Sequence, residues 1–135
     1  MSVVQRKIIV FRVRRPRDLS VNDELQWLGH SLGLFGERDR DKSCFRVFLE
    51  LVKAAKQQEA LSSDDLGFRL QLSRPTIVHH LHELLGRGIV VEERRRYILR
   101  AESLHQLLEE LRADMEQAMG DLDKAAKELD DVLKL

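Results

Sequence analysis

The stretch from Ser62 to Arg100 leaves the chain few folds to choose from. It reads as two short helices, tightly joined and followed by a small hairpin. Ser62 or Ser63 can cap the first helix, and Asp64 and Asp65 in its first turn offset the positive helix end. The apolar positions Leu66, Leu70 and Leu72 then give way to Ser73, whose hydroxyl can accept a free backbone N–H of a second helix. Pro75 suits that first turn because its missing N–H costs nothing there. Ile77, Leu81, Leu84 and Leu85 recur at helical spacing and define one buried face, while Arg74, Thr76, Val78, His79 and His82 fall on the other. Gly86 and Gly88 end the helix. Ile89–Val91 and Tyr97–Leu99 read as strands around the polar tip Glu92-Glu93-Arg94-Arg95-Arg96.

After the hairpin, Glu102 to Leu135 reads as one long helix. Leu104, Leu108, Leu111, Met115, Ala118, Leu122, Ala125, Leu129 and Val132 follow alternating steps of four and three, a heptad seam that predicts helix pairing. Leu107, Met119, Ala126 and Leu133 widen the stripe beyond a strict two-stranded seam. In a parallel pair, Asp114, Asp121 and Glu128 would face Met119, Ala126 and Leu133 of the partner. Antiparallel packing, or a bundle with the helix over 20–35, is therefore expected rather than a free zipper.

Upstream of the two short helices, Gln5 to Arg15 alternates loosely and reads as a strand, with Arg14, Arg15 and Arg17 clustered around Pro16. A lone strand needs a pairing partner, the same strand of a second copy being one option. A solvated edge kept soluble by arginines outweighs an arm touching phosphates. Ser20 opens a helix with Asp23 and Glu24 in its first turn, and Trp27 is expected in the core or at a dimer interface. Gly36 to Lys42 reads as a charged, ion-paired turn. Ser43 is expected to cap a further helix towards Gln58, with Phe45, Val47, Phe48, Leu51, Val52 and Ala55 buried.

The expected fold class is mainly α with a small β-hairpin wing (α+β). A strand–helix extension would occupy 1–42, a winged helix-turn-helix 43–100 and a coiled-coil-like dimerisation helix 101–135. The run Ser73-Arg74-Pro75-Thr76-Ile77-Val78-His79-His80-Leu81-His82-Glu83-Leu84, followed by Gly88-Ile89-Val90, resembles the recognition helix and following strand of ArsR-type winged-helix regulators of prokaryotes and archaea, with MarR-type proteins close behind. The resemblance spans about 43–111 and implies a homodimer on palindromic double-stranded DNA. Carried over residue by residue, Arg74, Thr76, Val78, His79 and His82 would face the DNA, and Arg94, Arg95 and Arg96 would be wing contacts. The chain departs from the family's metal sensors: the helix beginning near Asp64 has no cysteine, and the C-terminal helix offers one histidine, His105.

Charge supports a polyanion-facing body. The chain is formally neutral, yet 1–100 holds 19 basic against 13 acidic residues while 101–135 holds 4 against 10. Of the three close histidines, only His79 and His82 share a helical face, and two ligands do not close a metal site. As DNA donors they would bind more strongly below about pH 6.5, where free imidazole gains charge. Acidic residues at 37, 39 and 41 alternate with Arg38 and Arg40, unlike a calcium loop. No metal or cofactor is expected. One cysteine, Cys44, excludes an internal disulfide and fits a reducing cytoplasm. No apolar run is long enough to span a membrane, and the basic start lacks the apolar core of a signal peptide. Paired carboxylates, a nucleophile–base pair and a phosphate loop are all missing, so an enzyme is not expected.

These readings lead to a sequence-specific transcription regulator, a homodimeric repressor reading its operator through the helix over 73–85 and the wing over 89–99. Arg74 would read guanine, Val78 or Thr76 a thymine methyl, and the wing arginines would add salt-sensitive affinity. Trp27, Leu108, Leu111, Met115, Ala118, Leu122, Ala125, Leu129 and Val132 would form the dimer contact. No residues mark a small-molecule effector site. The competing expectation is a winged-helix module that docks proteins in a larger assembly.

Overall fold

The computed structural model describes residues 7–15, 17, 20–35 and 42–135, among which the chain forms five helices and a three-stranded antiparallel sheet. Their order is α1 (Val21–Ser31), α2 (Ser43–Lys56), β1 (Leu61–Ser62), α3 (Ser63–Leu70), α4 (Arg74–Gly86), β2 (Val90–Glu93), β3 (Arg96–Leu99) and α5 (Leu104–Leu133). This is a mainly helical α+β chain.

The core forms where α2, α3 and α4 meet one another and the sheet. Phe48 and Leu51 of α2, Leu66 of α3, and Ile77, Leu81 and Leu84 of α4 are all essentially inaccessible to solvent. Burying each such side chain contributes roughly 1.5–3 kcal/mol, so this cluster dominates the stability of the body. Residues 71–73 join α3 to α4. Gln71 ends α3 in the left-handed region at φ 57°, which turns the chain sharply without a glycine. Arg46 of α2 donates to the Leu70 carbonyl at 2.6 Å and so satisfies a backbone acceptor at the end of α3.

Strand β3 lies between β1 and β2, with Leu61 opposite Tyr97 and Val90 opposite Leu99. At two residues, β1 is too short to show periodicity, so nothing in the sequence announces it. Ser62 both ends this strand and caps α3. Its hydroxyl accepts from the Asp65 N–H and its own N–H donates to the Asp65 carboxylate, each at 3.0 Å.

Several boundaries differ from those expected. Ser43 does not cap α2; Lys42 holds the cap position with φ 57°, and Ser43 begins the helix as a buried residue. The Ser43 hydroxyl instead shares a 2.5 Å hydrogen bond with Nε2 of His80, joining α2 to the buried side of α4. Helix α1 stops at Ser31 rather than Phe35, because Gly33 reverses the chain at φ 67°. Arg87, just past α4, donates to the carbonyls of Leu32 and Gly33 at 3.0 and 2.6 Å and ties this end of α1 to the body.

The segment over 7–15 forms neither helix nor strand. Its backbone bonds go to helix ends: the Lys7 N–H donates to the Gly86 carbonyl at 2.9 Å and the Phe11 N–H to the Ser31 carbonyl at 2.7 Å. The expected strand does not form because no neighbouring strand among the described residues offers it a ladder. The remainder of that expectation, at 5–6, lies outside the described residues, as do Pro16 and the charged turn over 36–41.

Candidate functional site

Helix α4 is built to show one polar face. Ser73 caps it by accepting from the Thr76 N–H, Pro75 occupies the first turn, and the Ser73 and Thr76 hydroxyls lie 2.8 Å apart. With Ile77, His80, Leu81 and Leu84 fixed inward, helical geometry places Arg74, Val78, His79 and His82 outward, and all four are exposed. Thr76 is half-buried and braces the cap rather than standing clear. The outward residues of the first two turns carry no acidic group. Glu83, the first acid along the helix, lies 3.7 Å from the Arg87 guanidinium. His80 is buried while His79 is exposed, so the histidine triplet is split between two faces.

The hairpin of β2 and β3 closes through only Arg94 and Arg95, since Glu93 pairs with Arg96. Both loop residues have positive φ, 53° and 64°, as a two-residue turn matching the twist of the strands requires. Such turns favour Asn-Gly; an L residue with a β-carbon in this region costs about 1 kcal/mol or more. Two arginines held there place two exposed cations side by side at the tip, at a cost in hairpin stability.

Arg96 does not belong with them. Its guanidinium turns back to the Ala60 carbonyl at 3.3 Å and the Asp65 carboxylate at 3.5 Å, linking the base of the hairpin to the start of α3. The expected trio of wing cations therefore narrows to two at the tip. The Ser62 backbone N–H holds the Asp65 carboxyl below its usual value, aided by the Ser62 hydroxyl and more weakly by Arg96 and Arg69. Across the hairpin, burial raises the Tyr97 phenol, with Glu92, its cross-strand neighbour, adding to the effect.

The residues expected to pair chains divide along α5. Leu107 and Leu111 are buried against the body, and Leu104 and Ala118 are half-buried. Leu108 and Met115 are exposed, and so is every residue from Met119 onward, including Leu122, Ala125, Leu129 and Val132. The expected bundle of α5 with the helix over 20–35 is thus not formed within one chain along this distal half. Trp27 is half-buried; its indole N–H donates to the Val13 carbonyl at 3.1 Å, and the Arg15 guanidinium lies 5.8 Å from its ring centroid.

Arg100 was not legible as a positioning residue. It holds both Asp114 oxygens, at 2.5 and 3.2 Å, approaches Glu110 at 3.3 Å, and donates to the Gly88 carbonyl at 3.4 Å. The Asp114 hydrogen bond, followed by the nearby Asp114 and Glu110 charges, raises the Arg100 pKa and keeps it cationic. These contacts set the direction in which α5 leaves the body. A strand-end arginine and an acid fourteen residues later carry no sequence pattern that announces such a pair.

Among the described residues, no group of three or more His, Cys, Asp or Glu side chains is gathered to hold a metal ion. Within the same residues, no helix is long and apolar enough to cross a membrane. No protein-family model matches this chain, and no curated protein matches it.

Proposed function

We propose that this protein is a sequence-specific DNA-binding transcription regulator of winged helix-turn-helix architecture, acting as a homodimeric repressor. In this reading 1–42 is an extension, 43–100 the DNA-binding domain and 101–135 the dimerisation helix. The observation that carries it is the outward face of α4. Its exposed members in the first two turns are a cation, the N-terminal proline, a small apolar group and an imidazole, held by a buried face and a capped start. A helix of this kind fits the major groove, where Arg74 would donate to O6 and N7 of guanine and Val78 would touch a thymine methyl. His79 and His82 would donate to base edges or phosphates. Arg94 and Arg95 at the hairpin tip would neutralise phosphates, adding affinity without sequence preference. Two copies would present two such helices about 34 Å apart, one turn of B-DNA.

A second reading rests on Phe68, which is 82% exposed on α3. Exposed aromatic groups anchor protein contacts, and a docking module would use this one.

Binding of the purified protein to a fluorescent duplex from its own upstream region, against a scrambled duplex at two salt concentrations, separates the readings. The regulator binds its own region at least about a thousandfold more tightly than the scrambled duplex. Equal, weak binding to both, abolished by salt, would overturn the regulator and leave the docking module.

A further inference from the structure

We propose that the two α5 helices of a dimer cross antiparallel near Ala118, so that each distal half clasps the partner's body and its acidic row meets Arg12 and Arg14 of the partner's N-terminal segment. This rests on the homodimer of the preceding reading but not on DNA binding.

Three observations carry the inference. The first is an unmet apolar demand. Met119 and Leu122 are each 62% exposed and Val132 76%, left uncovered by the described residues of the same chain. Together with Met115, Leu129 and Leu133, and with exposed Val10, Phe11 and Val13, they offer on the order of 800 Å² per chain, what a stable interface buries on each partner.

The second is the placement of the N-terminal segment beside α5. Ile8, Ile9 and Val10 share a small cavity with Leu111. Ile9 and Phe11 lie against Gly33, just past α1, and the Val13 backbone carbonyl accepts from the Trp27 indole of α1. Arg12 and Arg14 follow Val10 at two-residue steps, the spacing that shares one face wherever the backbone is extended. Both are exposed and have no partner among the described residues, whereas Arg15 is paired with Glu24 at 2.6 Å.

The third is charge. Along α5 the row Leu107, Asp114, Asp121, Glu128 begins on the body side, where Leu107 is buried and Arg100 binds Asp114. Asp121 and Glu128 continue that row without an ion pair among the described residues, with Lys124 about one turn from each. A parallel pair would set this row against Met119, Ala126 and Leu133, wasting both charge and apolar area. An antiparallel pair centred near Ala118 instead lays the partner's residues 126–133 beside residues 104–111. Its acidic row then falls on the side of the N-terminal segment, where Arg12 and Arg14 have no partner among the described residues. The two alanines at 118 and 125 allow the helices to approach closely at the crossing.

The test has two arms on the full-length chain. Spin labels at Asp131→Cys, in a Cys44→Ala background, read the orientation. The clasp places the two labelled backbones about 40 Å apart, from 1.5 Å of rise per residue on each side of the crossing; a parallel pair would hold them within about 20 Å. Sedimentation then reads the charges. Arg12→Glu with Arg14→Glu weakens dimerisation about tenfold, as several modest surface ion pairs would, and Asp121→Arg with Glu128→Arg in the same chain restores it. A dimer with the short distance, or one indifferent to both charge changes, would overturn the clasp while leaving the homodimer. A wild-type chain that stays monomeric would overturn both.

Discussion

In α4, the apolar residues at helical spacing find their partners within the chain: Ile77, Leu81 and Leu84 are buried against the neighbouring elements. In α5, a longer and equally regular pattern is buried only at Leu107 and Leu111, and the side chains from Met119 onward face outward. Periodicity specifies that a face must be covered; it does not specify by whom. A body of this size has one core to offer, and α2, α3, α4 and the sheet fill it. The outward polar face of α4 and the outward apolar face of α5 therefore pose different questions, which the proposed function answers with a polyanion for one and a second apolar surface for the other.

Substitutions in the two helices should separate on that basis. The largest effect is expected from Leu81→Ala, which empties a fully buried site and costs about 3 kcal/mol, read as a lower denaturant midpoint at every protein concentration. Leu122→Asp should leave the unfolding of the dilute chain within about 0.5 kcal/mol of wild type, since that position is exposed. It should nevertheless raise the dimer dissociation constant about a hundredfold, as burying an unpaired charge at an interface would. A fall in stability of the dilute monomer would break the comparison, because it would mean that α5 packs on its own chain.

Smaller effects sharpen the picture. Arg94→Asn with Arg95→Gly should stabilise the hairpin by about 1 kcal/mol, by relieving two residues with positive φ, and weaken DNA binding at the same time. Loss of affinity without gain in stability would show that the turn carries no strain. Arg100→Ala should cost about 1 kcal/mol, less than a fully buried pair would because the side chain keeps 18% exposure. That variant should also broaden the distribution of α5 orientations in spin-label measurements.

The smallest effect concerns acid. The Asp65 carboxyl has a depressed value in the folded state, so its contribution is fully present above the unfolded value near 3.9 and is lost as pH falls through the folded one. Asp65→Asn should therefore flatten the stability profile below about pH 4 and leave its slope at neutral pH unchanged. A profile that keeps its acid limb would assign the limb to other carboxylates.

The elements built on strong local rules were legible in the chain itself. Caps at Ser20, Ser62 and Ser73 and apolar residues at helical spacing mark where three of the helices begin, and the hairpin strands flank a polar tip. The long helix was expected from Glu102 but begins at Leu104 behind the cap Ser103. Features settled by distant partners were not. Strand β1 exists only because β3 lies beside it, and α1 ends where Gly33 and Arg87 meet. Lys42 in the left-handed region displaced Ser43 from the cap it was expected to fill. The outward row of α4 followed from helical spacing, whereas the turning back of Arg96 depended on an acid thirty-one residues earlier.

The central claim is that the outward face of α4 reads bases while the hairpin tip holds phosphates. Comparing Arg74→Ala with Arg94→Ala plus Arg95→Ala, on matched and scrambled duplexes across a salt series, tests it most directly. Arg74→Ala should lose about 1–3 kcal/mol on the matched duplex and little on the scrambled one, relaxing discrimination. The tip variant should weaken both duplexes alike and reduce the salt slope by about two. If both variants lowered both affinities by the same factor, with discrimination intact, α4 would not be reading sequence and the claim would fail.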